Sequence, residues 1–177
     1  MLVAGYKYWE STNPITKLAL LLLLLSTVLI LMSGCANRRT TDNMAPKDIT
    51  LLGNWSGNYP VSDLDKLSTG QQDIPAGYIG DTATFIPVWR AFMPTEILPA
   101  VDFRKNIVVF TRNTRFYNRK SIITVTLQNG IAEIIAMETR TAMPIEEKVA
   151  MAMAVIPREG VMAIQAGDKK IQVLDVQ

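Results

Sequence analysis

A long apolar run near the N-terminus constrains this chain more than any other feature. Residues 18–32 contain no charged side chain, and most of them are Leu, Val, Ile or Met. A membrane-spanning helix needs about 20 apolar residues, so this run is short for one. Lys7 and Lys17 precede the run, and small residues follow it. This order of basic, apolar and small residues is typical of an export signal.

Cys35, the only cysteine of the chain, lies directly behind this run. Residues 31–35 read Leu-Met-Ser-Gly-Cys and resemble the lipobox of bacterial lipoproteins. The resemblance implies cleavage after Gly34 and attachment of a diacylglycerol to the Cys35 sulfur, usually with a further acyl chain on the new amine. One acyl chain binds a membrane only marginally, whereas two or three anchor a protein stably. The alternative is an uncut signal anchor with an idle thiol.

The chain therefore divides into three predicted parts. Residues 1–34 are a lipoprotein signal peptide, residues 35–48 a lipidated flexible tether, and residues 49–177 a single globular domain. Ala36 follows the cysteine, where an aspartate would retain many Gram-negative lipoproteins in the inner membrane. The expected location is thus the cell envelope, at the outer membrane facing the periplasm if the host is Gram-negative.

Composition excludes several kinds of chemistry. The chain has no histidine and one cysteine, so it has no Ser-His-Asp triad, imidazole metal site, internal disulfide or thiolate cluster. Its 18 basic and 16 acidic residues nearly cancel, which leaves no strong field to attract nucleic acid. We expect no cofactor, no metal and no nucleic-acid partner.

The globular part is predicted to contain one helix. Asp81 or Thr82 can cap its start, although Pro87 is unusual beyond a first helical turn. Four apolar residues recur at helical spacing and predict one buried face. They are Phe85, Val88, Trp89 and Phe92.

The other segments favour strands. Residues 106–112 are apolar and β-branched, as in a central strand, and residues 49–52 predict a first strand. Residues 121–127 and 131–138 flank Asn129-Gly130, a pair that readily forms a hairpin turn.

Residues 149–156, Val-Ala-Met-Ala-Met-Ala-Val-Ile, alternate bulky and small side chains. We predict a strand covered on both faces, with a closely packed helix on the alanine face. Residues 161–165 and 171–174 are expected to return antiparallel, whereas residues 57–80 are interpreted as turns and loop. The predicted fold is α+β, mainly an antiparallel meander of five or six strands with one packed helix.

The globular part resembles the protease complex subunit PrcB family. Trp89, the segment Pro-Ala-Val-Asp-Phe at residues 99–103 and the strand at 107–110 follow that family's order, and the likeness extends over residues 82–173. Where the family commonly has Gly-Gly-Tyr, residues 117–120 are Tyr-Asn-Arg-Lys. The resemblance implies a small exported accessory domain, often lipidated, that assists or binds another exported protein. It implies no catalytic residue.

Residues 111–120, Thr-Arg-Asn-Thr-Arg-Phe-Tyr-Asn-Arg-Lys, interleave basic and aromatic side chains. Such a segment can bind anionic polymers, and on an anchored exported domain lipid headgroups, lipopolysaccharide or peptidoglycan are favoured over nucleic acid. The alternative is a hairpin loop with ordinary solvated charges. The candidate interaction surface comprises Arg112, Arg115, Phe116, Tyr117, Arg119 and Lys120.

Several other residues have structural interpretations. Asp102 is predicted to accept backbone N–H groups before a strand, and the acids Asp63, Asp65, Glu146 and Glu147 to be solvated. Alternation explains the methionines as core residues better than as copper ligands. These are Met137, Met143, Met151, Met153 and Met162.

The sequence thus favours a lipid-anchored envelope accessory protein that binds an exported protein or an envelope polymer and is not an enzyme. Two alternatives stay open, a hydrolase that uses carboxylates and a structural envelope lipoprotein. An exposed apolar patch beside Arg115–Lys120 would favour binding. A shielded pocket with two or more acids would favour the hydrolase.

Overall fold

Nine strands in two sheets and one α-helix form the part of the chain that the computed structural model describes, residues 45–116, 119–139 and 144–174. The chain divides into two compact units, Met1–Asp42 and Asn43–Gln177, and the described residues belong to the second. The predicted export signal with Gly34 and Cys35, most of the predicted tether, Tyr117 and Met143 lie outside the described residues. The predicted α+β class with mainly antiparallel strands is confirmed.

The strands alternate between the two sheets along the chain. The five-stranded sheet has the order β1 (Lys47–Ile49), β5 (Lys120–Gln128), β6 (Ile131–Glu138), β8 (Ala163–Ala166) and β9 (Lys169–Gln172). The four-stranded sheet has the order β2 (Gly53–Pro60), β7 (Lys148–Pro157), β4 (Asn106–Arg112) and β3 (Ala76–Ile79). Between the described strands, β6 and β8 alone pair in parallel. Two 3₁₀ helices, Val61–Lys66 and Thr69–Gln71, precede β3, and α1 (Thr82–Phe92) follows it.

Helix α1 begins where the sequence predicts. The Asp81 carboxylate accepts the Thr84 backbone N–H at 2.7 Å and so satisfies one donor of the first turn. Pro87 lies inside the helix and cannot donate to the carbonyl of Ala83. Because Ala83 is exposed, water can reach that carbonyl. The four apolar residues of the predicted face are all buried.

Removing this cap should weaken the domain measurably. We expect Asp81→Ala to lower the free energy of unfolding by about 1 kcal/mol, because the Thr84 N–H loses its acceptor at the helix start. Urea unfolding followed by circular dichroism measures this loss. Asp81→Asn retains a capping oxygen and should stay close to the unmodified protein; equal losses in both variants would contradict a capping role.

Strand β7 is buried on both faces, as its alternation predicts, but the covering elements are the reverse of those expected. Met151 and Met153 belong to the core cluster that contains α1, whereas Ala152 and Ala154 belong to the cluster under the five-stranded sheet. The prediction that a helix covers the alanine face is therefore wrong. Long side chains fill the space below the helix, and alanine leaves room for isoleucines such as Ile122.

Residues 57–80 are not simply turns and loop, because they include the second half of β2 and the whole of β3. Strand β2 is rich in Gly and Asn, which have low β propensity, and it is held by pairing along its length with β7. Strand β1 begins at Lys47, so the last two residues of the predicted tether pair with β5 instead.

The meander prediction is also wrong, because β4 and β5 belong to different sheets, as do β6 and β7. Hydrophobic alternation specifies which face of a strand is buried and does not specify which sheet the strand joins. The predicted hairpin between β5 and β6 is confirmed. Asn129 and Gly130 have φ angles of 51° and 79°, the left-handed conformation that this turn requires.

Candidate functional site

The distal half of the β5–β6 hairpin extends beyond its neighbours in the five-stranded sheet. Strand β1 pairs with residues 125–127 of β5, and β8 pairs with residues 131–133 of β6. Within the described part of the chain, residues 120–124 therefore pair only with β6, and residues 134–138 pair only with β5. We call these two segments the ribbon.

One face of the ribbon is packed and the other is exposed. Ile122 and Ile134 point into the core between the sheets. Ile123, Ile135 and Met137 are 57%, 45% and 60% exposed and form what we call the apolar patch. Thr124 lies opposite Ile135 and Ser121 lies opposite Met137, so the patch side chains are neighbours across the two strands.

A register shift explains why Ile123 belongs to this face. The pairing slips between Ile122 and Thr124, which leaves Ile123 as an extra residue in β5. Strict alternation predicts Ile123 and Val125 on the same face, yet Val125 is buried while Ile123 is exposed. A β-bulge changes the facing of residues on either side of it, and no local sequence signal marks this one.

Basic side chains border the patch where the chain crosses between the sheets. Arg115, Phe116 and Arg119 are exposed, and we call them the basic rim. Phe116 forms an isolated bridge with Pro144. The backbone N–H of Thr139 donates to the Arg119 carbonyl at 3.0 Å, and this pair lies two residues beyond the pair of Ser121 and Met137. The rim and the patch therefore share one end of the domain.

Arg112 is not part of this surface, contrary to the prediction. Its side chain is buried, 4% exposed, and its guanidinium donates to the carbonyls of Gln72 and, at 3.3 Å, Asn113. Burial lowers the pKa of the Arg112 guanidinium, and the nearby Asp73 carboxylate opposes that shift. Arg112 instead fixes the segment before β3, where its backbone N–H also donates to the Pro75 carbonyl at 2.7 Å.

Lys120 is likewise held within the fold. Its ammonium group donates to the Asn113 side-chain oxygen at 3.2 Å and to the Glu138 carboxylate at 3.0 Å. The second contact joins the two strands of the ribbon by an ion pair. Of the six predicted surface residues, Arg115, Phe116 and Arg119 are exposed, Arg112 and Lys120 stabilise the structure, and Tyr117 lies outside the described residues.

The acidic residues singled out in the sequence lie at exposed or structural positions. Asp102 accepts the Arg104 backbone N–H at 3.1 Å, which confirms its predicted role in the turn before β4. Glu146 and Glu147 are exposed, and Asp63 pairs with Lys66 at 2.8 Å. Nowhere in the described ranges do three or more Asp, Glu, His or Cys side chains gather as a metal site would require.

The methionines divide between core and surface. Met151 and Met153 are fully buried in β7, as predicted for core residues, whereas Met137 and Met162 are 60% and 62% exposed. Exposed methionine is a soft, adaptable contact residue, so Met137 suits an interaction surface.

None of the helices in the described part of the chain has the length and apolar character needed to cross a membrane. No protein-family model, curated protein or solved structure matches the chain. The functional inference therefore depends on the ribbon and on the sequence around Cys35.

Proposed function

We propose that this chain is a lipid-anchored accessory domain of the cell envelope that binds another exported protein and performs no catalysis of its own. The observation that carries the proposal is the apolar patch next to the basic rim. Three large apolar side chains lie exposed side by side on a pair of hydrogen-bonded strands. Contiguous apolar surface of this kind marks interaction sites, whereas single exposed apolar residues need no explanation.

The composition of this end favours a protein partner over a polar polymer. An apolar centre surrounded by polar and charged residues is the usual anatomy of a protein interface. The ion pair between Lys120 and Glu138 joins the two strands of the ribbon beside this surface. The carboxylate hydrolase gains less support, because Glu146 and Glu147 are exposed and Asp102 is engaged in a turn.

The proposed anchor would keep this surface close to the bilayer. Eleven residues separate Cys35 from Lys47, the first residue of β1. A chain of that length spans at most about 40 Å when fully extended. Confinement within this distance raises the effective concentration of the domain toward partners in the same envelope layer.

Photo-crosslinking in the native host tests this function. With a benzoylphenylalanine at position 123 of the full chain, we expect one predominant adduct with an exported protein. Ile135→Glu should reduce that adduct at least tenfold, because the interface would bury an unpaired carboxylate next to position 123. The Ile135→Glu chain should remain folded, since the side chain it replaces is 45% exposed.

Met162 provides the matched control, because it is exposed to nearly the same extent as Met137 but lies outside the ribbon. The same photoreactive residue at position 162 should not give the adduct. Adducts to lipid alone at position 123, or identical protein adducts at positions 123 and 162, would contradict the proposal.

A further inference from the structure

We infer that the partner supplies an extended polypeptide segment that pairs with the free edge of β6 along residues 134–138. This inference rests on the proposed function and names the form of the partner at the same surface. The partner segment would bind the backbone of the ribbon, whereas the apolar patch is formed by side chains of the ribbon.

The edge of β6 is open beyond its contact with β8. Their pairing ends with Glu133 and Gln165, and β8 then turns at Gly167 into β9. Among the described residues, nothing pairs with residues 135–138 on the side away from β5. An open edge presents a row of backbone donors and acceptors to any strand that can reach it.

The direction of the backbone groups follows from two hydrogen bonds. The Thr139 N–H donates to Arg119, so these two residues face each other across the ribbon. The Ile122 carbonyl accepts from the Asn54 side chain at 2.8 Å, so Ile122 points away from β6. Because direction alternates along a strand, the N–H and C=O of Ala136, opposite Ile122, point away from β5.

By the same alternation Ile134 and Glu138 also point toward the open edge. The parallel pair of Glu133 and Gln165 requires the Ile134 N–H to donate to the Gln165 carbonyl, so that N–H is already used. The edge thus offers the N–H groups of Ala136 and Glu138 and the C=O groups of all three residues, spaced about 7 Å apart from one residue to the next of the set. An extended polypeptide presents donors and acceptors with the same repeat. Phosphate and carboxylate groups of lipids only accept hydrogen bonds and leave the carbonyls without a partner.

Two other edges of this sheet lack these properties. On the β5 side of the ribbon, Asn54 already occupies the Ile122 carbonyl. Strand β9 carries exposed Lys169 and Lys170, and charged side chains discourage pairing at an edge. Along residues 134–138 the one charged side chain is Glu138, which is paired with Lys120. This edge is therefore suited to accept a strand.

The side chains beside the edge indicate which segment would fit. A strand added to β6 places alternate side chains next to Ile135 and Met137 on the exposed face. Those positions favour β-branched or aromatic residues, which would extend the apolar patch. The partner segment should therefore be extended, at least five residues long, and apolar at every second position.

A proline substitution separates backbone pairing from side-chain contact. Ala136→Pro removes an N–H that points to the open edge and costs no hydrogen bond to β5, so the ribbon should persist. We expect this variant to reduce the position-123 adduct at least tenfold. The control is Asn58→Pro in the edge strand β2. The Val61 N–H donates to the Glu147 carbonyl and so points toward the β7 side of β2. Because direction alternates along a strand, the N–H of Asn58, three residues earlier, points away from β7. Asn58→Pro should leave the adduct unchanged.

Two further results complete the test. In the adduct formed at position 123 of the chain with no further substitution, the Ala136 amide should exchange with deuterium at least tenfold more slowly than in the same chain free of partner. If Ile135→Glu abolishes the adduct while Ala136→Pro retains it, strand addition is wrong and the proposed function stands. If neither variant lowers the adduct, both are wrong. Should Ala136→Pro unfold the chain, unchanged exchange at Ala136 in the adduct would by itself overturn strand addition.

Discussion

Replacing Trp89 by alanine is expected to lower the free energy of unfolding by about 3–5 kcal/mol, a large share of the stability of a small domain. Trp89 is 2% exposed and joins α1 to the four-stranded sheet. Its ring lies 5.0 Å from that of Trp55 at an angle of 79°, and 5.8 Å and 6.1 Å from those of Phe85 and Phe92. The variant loses both the buried area of the indole and these aromatic contacts, and it leaves a cavity.

Urea unfolding of the protein in mild detergent, followed by far-ultraviolet circular dichroism, measures this loss. Arg90→Ala is the matched control, because Arg90 neighbours Trp89 in the same helix but is exposed. Alanine favours helix, so this control should change stability by less than about 1 kcal/mol. A Trp89→Ala loss of similar size to the control would mean that the cluster around Trp89 does not hold α1 on the sheet.

Replacing Cys35 by alanine is expected to abolish lipidation and with it the cleavage that forms the mature chain. Alanine has no sulfur to carry a diacylglycerol, and lipid-dependent cleavage after Gly34 should stop. Mass spectrometry of the protein from its native host checks both effects. The unmodified chain should begin at a lipid-modified Cys35, and the variant should retain residues 1–34.

Ser33→Ala is the control for this prediction, because it changes a neighbouring residue but keeps a small side chain and the thiol. It should still give a lipidated chain in the membrane fraction. An unmodified Cys35 thiol in an uncleaved native chain would contradict the anchor, as would a Cys35→Ala chain with unaltered mass and membrane fraction.

The proposed interaction surface illustrates the limit of prediction from sequence. The basic and aromatic pattern of residues 111–120 lies at the same end of the domain as the apolar patch. It did not distinguish exposed Arg115 from Arg112, which is buried against carbonyls of distant residues such as Gln72. The apolar patch was missed, because alternation in residues 121–127 shows two faces and not which of them remains uncovered.

Local structure could be predicted from the sequence because it depends on neighbouring residues. The Asp81 cap, the apolar spacing of α1 and the Asn129-Gly130 turn are each determined by a few consecutive side chains. Strands β4 to β7 were found by their apolar or alternating composition. Strands β2 and β3 were not, since partners distant in the chain hold them in place.

The sequence by itself determined the α+β class, the main helix and hairpin, and the chemistry that a chain without histidine cannot perform. Only the tertiary structure decided which sheet each strand joins, which face of β7 meets the helix, and that a bulge turns Ile123 outward. The physical reason is that periodicity records how much of a side chain is buried, whereas the identity of the covering element depends on contacts between residues far apart in the chain.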